Sequence, residues 1–341
     1  MMSDALRKWL DGDDTVEETV RLLAETETWP AMPLDRATTR RLITLAHDAL
    51  SRDPNRAVWI SRLAIRAADT PIDEGDAWRE YAAALLELRE YENAREAVEH
   101  AHTTYRRAGG AEHNEAVLGA LESFVLHELG DSLAALSLIE QNARTLLRFN
   151  DKKAYVRARA IHAMMLFNIG RYSEAADTYA EIANVDDSET LAHAVLMIGR
   201  CAVKLGEIER ARQCFETALE MFESLGLRME IPRVRKGIAE ILVSHGRTHE
   251  AISELYKARA EFLAMELPVI AAFVALDIVD LLLTAGRTSE IELLCQACPD
   301  RLPASAARAF AALRERAGRA CVTEADVQRV RGYLERLPME A

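Results

Sequence analysis

The chain has 341 residues, half of them apolar and 28% charged, with 42 Lys and Arg against 55 Asp and Glu. Such an apolar fraction, with a mean hydropathy of −0.10, excludes a disordered chain, and no apolar run approaches the ~18–20 residues of a membrane span. The net charge of −13 argues against direct nucleic-acid binding, which needs a concentrated basic surface, and only 15 Gly and 9 Pro leave few turn formers for a β-sandwich or α/β protein. An all-α chain is expected.

The opening MMSDALRKWLDGDD lacks the apolar core of a signal peptide, so a cytoplasmic protein is expected. Residues 1–30 are read as an acidic lead of one or two short helices closing at Trp29-Pro30. Thr38–Ser51 and Asn55–Ala68, separated by Asp53-Pro54, form a helical pair that Pro71 ends, and Gly75-Asp76 begins the next. A regular pattern follows: an apolar helix end, a break, and a second apolar-periodic stretch. The breaks fall at Arg89, Gly130, Gly170, Gly206, Gly246 and Gly286, at spacings of 41, 40, 36, 40 and 40 residues. In the short step the second helix stops at Asn184-Val185-Asp186-Asp187, where a kink is expected. Pro299 and Pro303 close the array, and Ala304–Gly318 and Thr323–Leu337 read as two capping helices, the latter opened by Thr323-Glu-Ala-Asp. The organisation expected is therefore a lead over 1–30, a repeat array of about seven helix pairs over 31–300, and a cap over 301–341.

Two helices of about 15–18 residues and two short turns fill a forty-residue step, and neither helix buries its apolar face alone, so the pairs must stack. Glycine supplies the left-handed conformation that ends a first helix, and Ser173, Thr248 and Thr288 are expected to cap the second. In the second helices a small residue precedes an aromatic by four: Ala101 with Tyr105, Ala218 with Phe222, Ala258 with Phe262. These are the small and bulky positions of the tetratricopeptide repeat. The chain resembles that family from about Ala37 to Ala297, in the forty-residue variety of bacterial regulators. The resemblance implies a right-handed α-solenoid whose first helices line a concave face that binds another protein or peptide.

Stepping back 13, 9, 6 and 2 residues from each break reads off that face. It gives Asp76, Glu80, Ala83 and Glu87; then Val117, Leu121, Phe124 and Glu128; then Arg157, Ile161, Met164 and Asn168. The later repeats give His193, Met197, Arg200 and Lys204; then Arg233, Gly237, Glu240 and Ser244; then Phe273, Asp277, Asp280 and Thr284. Acidic ends flank a basic and apolar middle. Arginine forks suit carboxylates, and apolar residues supply anchors. The expected partner-binding residues are therefore Phe124, Arg157, Met164, Phe167, Asn168, Met197, Arg200, Lys204 and Arg233, holding an acidic-amphipathic segment. A basic run from Arg301 to Arg336 reads as an exposed cap face.

No Walker loop, G-x-G-x-x-G turn, G-x-S-x-G elbow or H-E-x-x-H helix is present, and no cofactor or metal is expected. Cys295-Gln-Ala-Cys298 has C-x-x-C spacing without two further zinc ligands, and reads as core. Asp277 and Asp280, three apart, are either coupled carboxylates or an acidic stripe on the groove. The expectation is a non-enzymatic regulatory scaffold. The alternative is a sensor or inhibitor module that binds a peptide or sequesters a regulator such as a transcription or protease component.

Overall fold

The structure, a computed structural model, describes residues 2–13, 15, 17–25, 35–50, 52–183, 187–297 and 302–335. Among the described residues there are eighteen helices and no strand, the helical-solenoid class implied by the sequence. They divide into two compact units, Met1–Arg171 and Tyr172–Ala341. In the N-terminal unit, α1 (Met2–Leu10) and α2 (Glu17–Glu25) precede α3 (Arg36–Ala49) and α4 (Pro54–Ala67). There follow α5 (Pro71–Glu87), α6 (Tyr91–Ala108), α7 (Glu112–Glu128), α8 (Ser132–Arg148) and α9 (Lys152–Asn168). The C-terminal unit begins with α10 (Tyr172–Ile182), α11 (Ser188–Leu205), α12 (Ile208–Leu225), α13 (Ile231–Ser244) and α14 (Thr248–Ala264). It ends with α15 (Pro268–Thr284), α16 (Thr288–Gln296), α17 (Ala304–Gly318) and α18 (Glu324–Leu334).

One turn recurs at every break. The amides of Glu90, Asp131, Arg171, Glu207, Arg247 and Arg287 donate to the carbonyls five residues back at 2.8–2.9 Å. This is the Schellman bond, and it requires the residue before the donor to be left-handed. Five glycines and Arg89 meet that requirement, with φ from 60° at Arg89 to 94° at Gly130. The same device ends the second helices at Asn150, Gly226 and Glu266.

The expected caps fall inside their helices, Thr248 and Thr288 one residue past the capping position as the first residues of α14 and α16, and Ser173 two residues past it in α10. The capping positions belong to Arg247 and Arg287, which make no side-chain cap and instead pair with Glu250 and Glu290. Pro71 likewise opens α5 rather than ending a helix, behind a Thr70 hydroxyl that accepts from the Asp73 amide. α10 stops at Ile182, as the short step requires; Trp29-Pro30 and Asn184 to Asp186 lie outside the described residues.

The small and aromatic positions form the inter-helix core. Ala101, Tyr105, Ala218, Phe222, Ala258 and Phe262 are all buried. Phe215 of α12 fits between α11 and α13 because Gly199 and Gly237 stand there: a Cβ at either would come within 3.0 Å of its ring. Cys201 and Cys295 are buried thiols, and burial pushes the Cys201 thiol up to about 11, so it packs as a small apolar group.

Candidate functional site

In the N-terminal unit α5, α7 and α9 line a cleft of about 610 Å³, with α3 at its edge. Leu86, Val117, Leu121, Phe124 and Ile161 supply apolar wall. His47, Arg79, Glu80 and Arg157 supply charge, and Glu87, Arg89 and Glu128 come from the ends of the first helices and the turn. The positions read by stepping back from the breaks therefore do converge here: Phe124 and Arg157 line one cleft.

The acidic start of the array is neutralised inside the unit. Asp73 is fully buried and takes Arg40 Nε at 2.6 Å, Arg36 Nε at 3.0 Å and the Thr70 hydroxyl at 2.7 Å. Burial raises its carboxyl, but the Thr70 bond and the charges of Arg40 and Arg36 outweigh that and hold it below the usual range. Asp76 accepts from Tyr105 Oη at 2.7 Å, Arg79 Nη1 at 3.0 Å and Asn114 Nδ2 at 3.0 Å. Glu80 accepts from Arg79 at 2.9 and 3.2 Å and faces His47 Nδ1 at 3.0 Å. Burial pulls the Glu80 carboxyl up, yet the His47 bond and the Arg79 charge hold it low. The Glu80 bond raises His47, against burial and the positive charges of Arg157 and Arg79.

Arg157 is exposed on α9 and makes no ion pair among the described residues. Met164 is half-buried while Met165 is fully buried, so the pair splits between surface and core. Phe167 is half-buried, and Asn168 is exposed with Nδ2 3.3 Å from His127 Nε2. These three do not line the cleft.

In the C-terminal unit α11 and α13 line a cleft of about 390 Å³ that brings together Met197, Arg200 and Arg233 with His193, Glu230 and Lys236. Arg200 Nη1 lies 3.6 Å from the Met197 sulfur, and Arg233 pairs with Glu230 at 2.7 Å. Lys204 is exposed, outside this cleft, and has no ion pair among the described residues. The acidic end of the array is again neutralised: Arg331 of α18 donates to Asp277 and Asp280 at 3.1 Å each, and Lys236 reaches Asp277 at 2.8 Å. Asp280 is pushed up by burial, against the Arg331 charge. The two aspartates thus hold α18 on α15. Cys295 is buried, Cys298 lies outside the described residues, and no group of three or more His, Cys, Asp or Glu suited to a metal occurs among the described residues.

His47 and Lys236 escaped the sequence reading, and Arg331, read as part of an exposed cap face, is instead half-buried against Asp277 and Asp280. The first pair has no break glycine to set its frame, and Arg331 meets partners 51 and 54 residues away. No local signal finds them.

A tetratricopeptide repeat profile matches residues 192–224. Among curated proteins no sequence is significantly similar. Among solved structures the chain is similar to the Rap protein complexed with competence and sporulation factor, at 14% identity, TM-score 0.57 and 98% of both chains. It is similar to the apo form of the quorum sensor NprR from B. thuringiensis, at 12% identity, TM-score 0.58, over 96% of this chain and 98% of that one. Aspartyl phosphate phosphatase F from Bacillus subtilis matches at 13% identity and TM-score 0.55, over 99% of this chain and 92% of that one. At such identity the likeness is one of fold. No described helix is long and apolar enough to cross a membrane.

Proposed function

We propose that this tetratricopeptide-repeat chain is a non-enzymatic, cytoplasmic regulatory protein that holds an acidic-amphipathic segment of another protein against its first helices. The observation that carries this reading is the 610 Å³ cleft of the N-terminal unit, where Leu121, Phe124 and Ile161 form an apolar wall beside Arg157. Apolar wall beside an unpaired fork-shaped cation matches a segment carrying an aliphatic or aromatic anchor and a carboxylate. The smaller cleft of the C-terminal unit sets Met197 and Arg200 beside the Arg233–Glu230 pair, with Lys204 beyond it. In this reading the helices before residue 31 and after residue 300 close the ends of the array.

A narrower version, a sensor that binds a short peptide, draws support from the similar folds: the Rap structure holds competence and sporulation factor, and an NprR structure holds its cognate peptide NprX. A cleft of this volume suits a short segment. The test is affinity purification of tagged chain from its native host, with Arg157→Glu and Arg200→Glu/Lys204→Glu variants in parallel. Retention of the same partner should fall at least about tenfold, ~1.4 kcal/mol, in one variant or the other. Equal retention by wild type and both variants overturns the groove assignment.

A further inference from the structure

Arginines that reach the buried acids of the N-terminal unit come paired: Arg36 and Arg40 on Asp73, and Arg79 between Asp76 and Glu80. Arg157 departs from them. It lines the same cleft as His47, close enough for its charge to oppose protonation of that ring, and makes no ion pair among the described residues.

The His47 ring is held by one nitrogen only. Nδ1 faces Glu80 Oε2 at 3.0 Å, while Nε2 has no partner among the described residues and the side chain is half exposed. Glu80, held low by His47 and Arg79, is a carboxylate at neutral pH and accepts only, so the hydrogen sits on Nδ1. The neutral ring therefore shows Nε2 as a bare acceptor, which repels an anion. Protonation converts Nε2 into a donor.

The other charges facing this ring do not fill that role. From α5, Arg79 and Glu80 are bonded to each other; on the ring's own helix, Arg40 is spent on Asp73. At the turn side of the cleft, Glu87 and Glu128 sit with Arg89, and Tyr91 of α6 bonds Glu128 and Arg89. On its own helix Arg157 lies within reach of the charge of Asp151 but forms no ion pair with it, and that carboxylate is already bonded to the Ala154 amide at 2.9 Å and to His113 Nε2 at 2.9 Å.

We infer that Arg157 and the protonated ring of His47 form a carboxylate-binding subsite in the N-terminal cleft, so that the cleft takes up a partner's acidic residue together with a proton. The apolar residue beside that carboxylate lies on Leu121, Phe124 and Ile161. This rests on the reading of the cleft as the partner site and adds a chemical identity and a pH dependence to it. By linkage, the bound carboxylate and the proton stabilise each other. Affinity is then full below the His47 midpoint and declines as pH rises through it, up to tenfold per pH unit until only the Arg157 contribution remains.

The test uses the full chain with isotopically labelled histidine and phenylalanine. The probes are N-acetylphenylalanine, which has a carboxylate, and N-acetylphenylalaninamide, which has the same apolar body without the charge. At equal concentrations the carboxylate should raise the His47 titration midpoint by about half a unit or more and the amide should not. Arg157→Gln should reduce that shift, and His47→Asn and His47→Gln should each leave weaker, pH-independent binding of the carboxylate. Equal midpoints with the two probes overturn the subsite. Perturbation of Phe124 signals by both probes with equal midpoints overturns the subsite but leaves the groove standing; Phe124 signals untouched by either probe count against both.

Discussion

The turn that ends each first helix requires one residue with positive φ, and Arg89 meets that requirement at φ 60° where the five later breaks use glycine. A side chain in this region crowds its own backbone, at a cost of about 1 kcal/mol that glycine avoids, partly offset by the greater freedom of glycine in the unfolded chain. Arg89→Gly should therefore stabilise the protein by roughly 0.5 kcal/mol, raising the thermal midpoint by a degree or two. Asn150, at φ 57°, tolerates the same region through its short polar side chain, so Asn150→Gly should gain less. Calorimetry of the two variants checks the order; a loss on Arg89→Gly would mean that its bond to Tyr91 outweighs the backbone term. The breaks were legible because a left-handed position leaves a glycine in most repeats. Thr248 and Thr288 were misplaced by one residue because they look like caps in isolation, whereas the Schellman bond fixes the capping position on Arg247 and Arg287 whatever their side chains prefer.

Among the helices, α18 shows which parts of the fold a sequence exposes and which it hides. Its start was readable: Thr323 and Asp326 form the expected capping box, with Thr323 N donating to Asp326 at 3.0 Å. Its docking was not. Arg316 of α17 also bonds Asp326, and Arg331 joins α18 to Asp277 and Asp280 of α15, through pairs set by packing of distant segments. The acidic stripe read on α15 as facing the groove instead has its charge taken up within the unit, by Lys236 and Arg331. The bonds from Arg316 and Thr323 hold the Asp326 carboxyl at about 2, below its ordinary value near 3.8. A depressed carboxylate contributes its stability above the unfolded value and loses it as pH falls through the folded one. Asp326→Asn should therefore speed hydrogen exchange in α18 equally from pH 7 to about 4. The difference from wild type should shrink between about 4 and 2; a difference that persists unchanged at pH 2 would show that Asp326 acts by shape and not by charge.

For the whole chain, stability should be local, because each helix packs chiefly on its neighbours in sequence and a stack of this kind sums nearest-neighbour interfaces. The cores follow that rule. One cluster joins Ala82 to Val125 around Tyr105, and a separate one joins Ala192 to Ile241 around Phe215 and Phe222. The compact units Met1–Arg171 and Tyr172–Ala341 divide between them. Phe215 is the sharpest probe of this arrangement, fully buried and fitted against Gly199 and Gly237, where no Cβ can fill the space it would vacate. Phe215→Ala should cost about 3–5 kcal/mol of local stability. Its effect should appear as faster amide exchange through α11 to α14, with α5 to α8 keeping wild-type protection. The cleft carrying Arg157 belongs to the N-terminal unit, so binding there should survive the substitution, while the cleft of Met197, Arg200 and Arg233, with its floor on the same cluster, should lose its ligand. Uniform loss of protection in all helices would instead mean a single cooperative molecule, in which the two clefts open and close together.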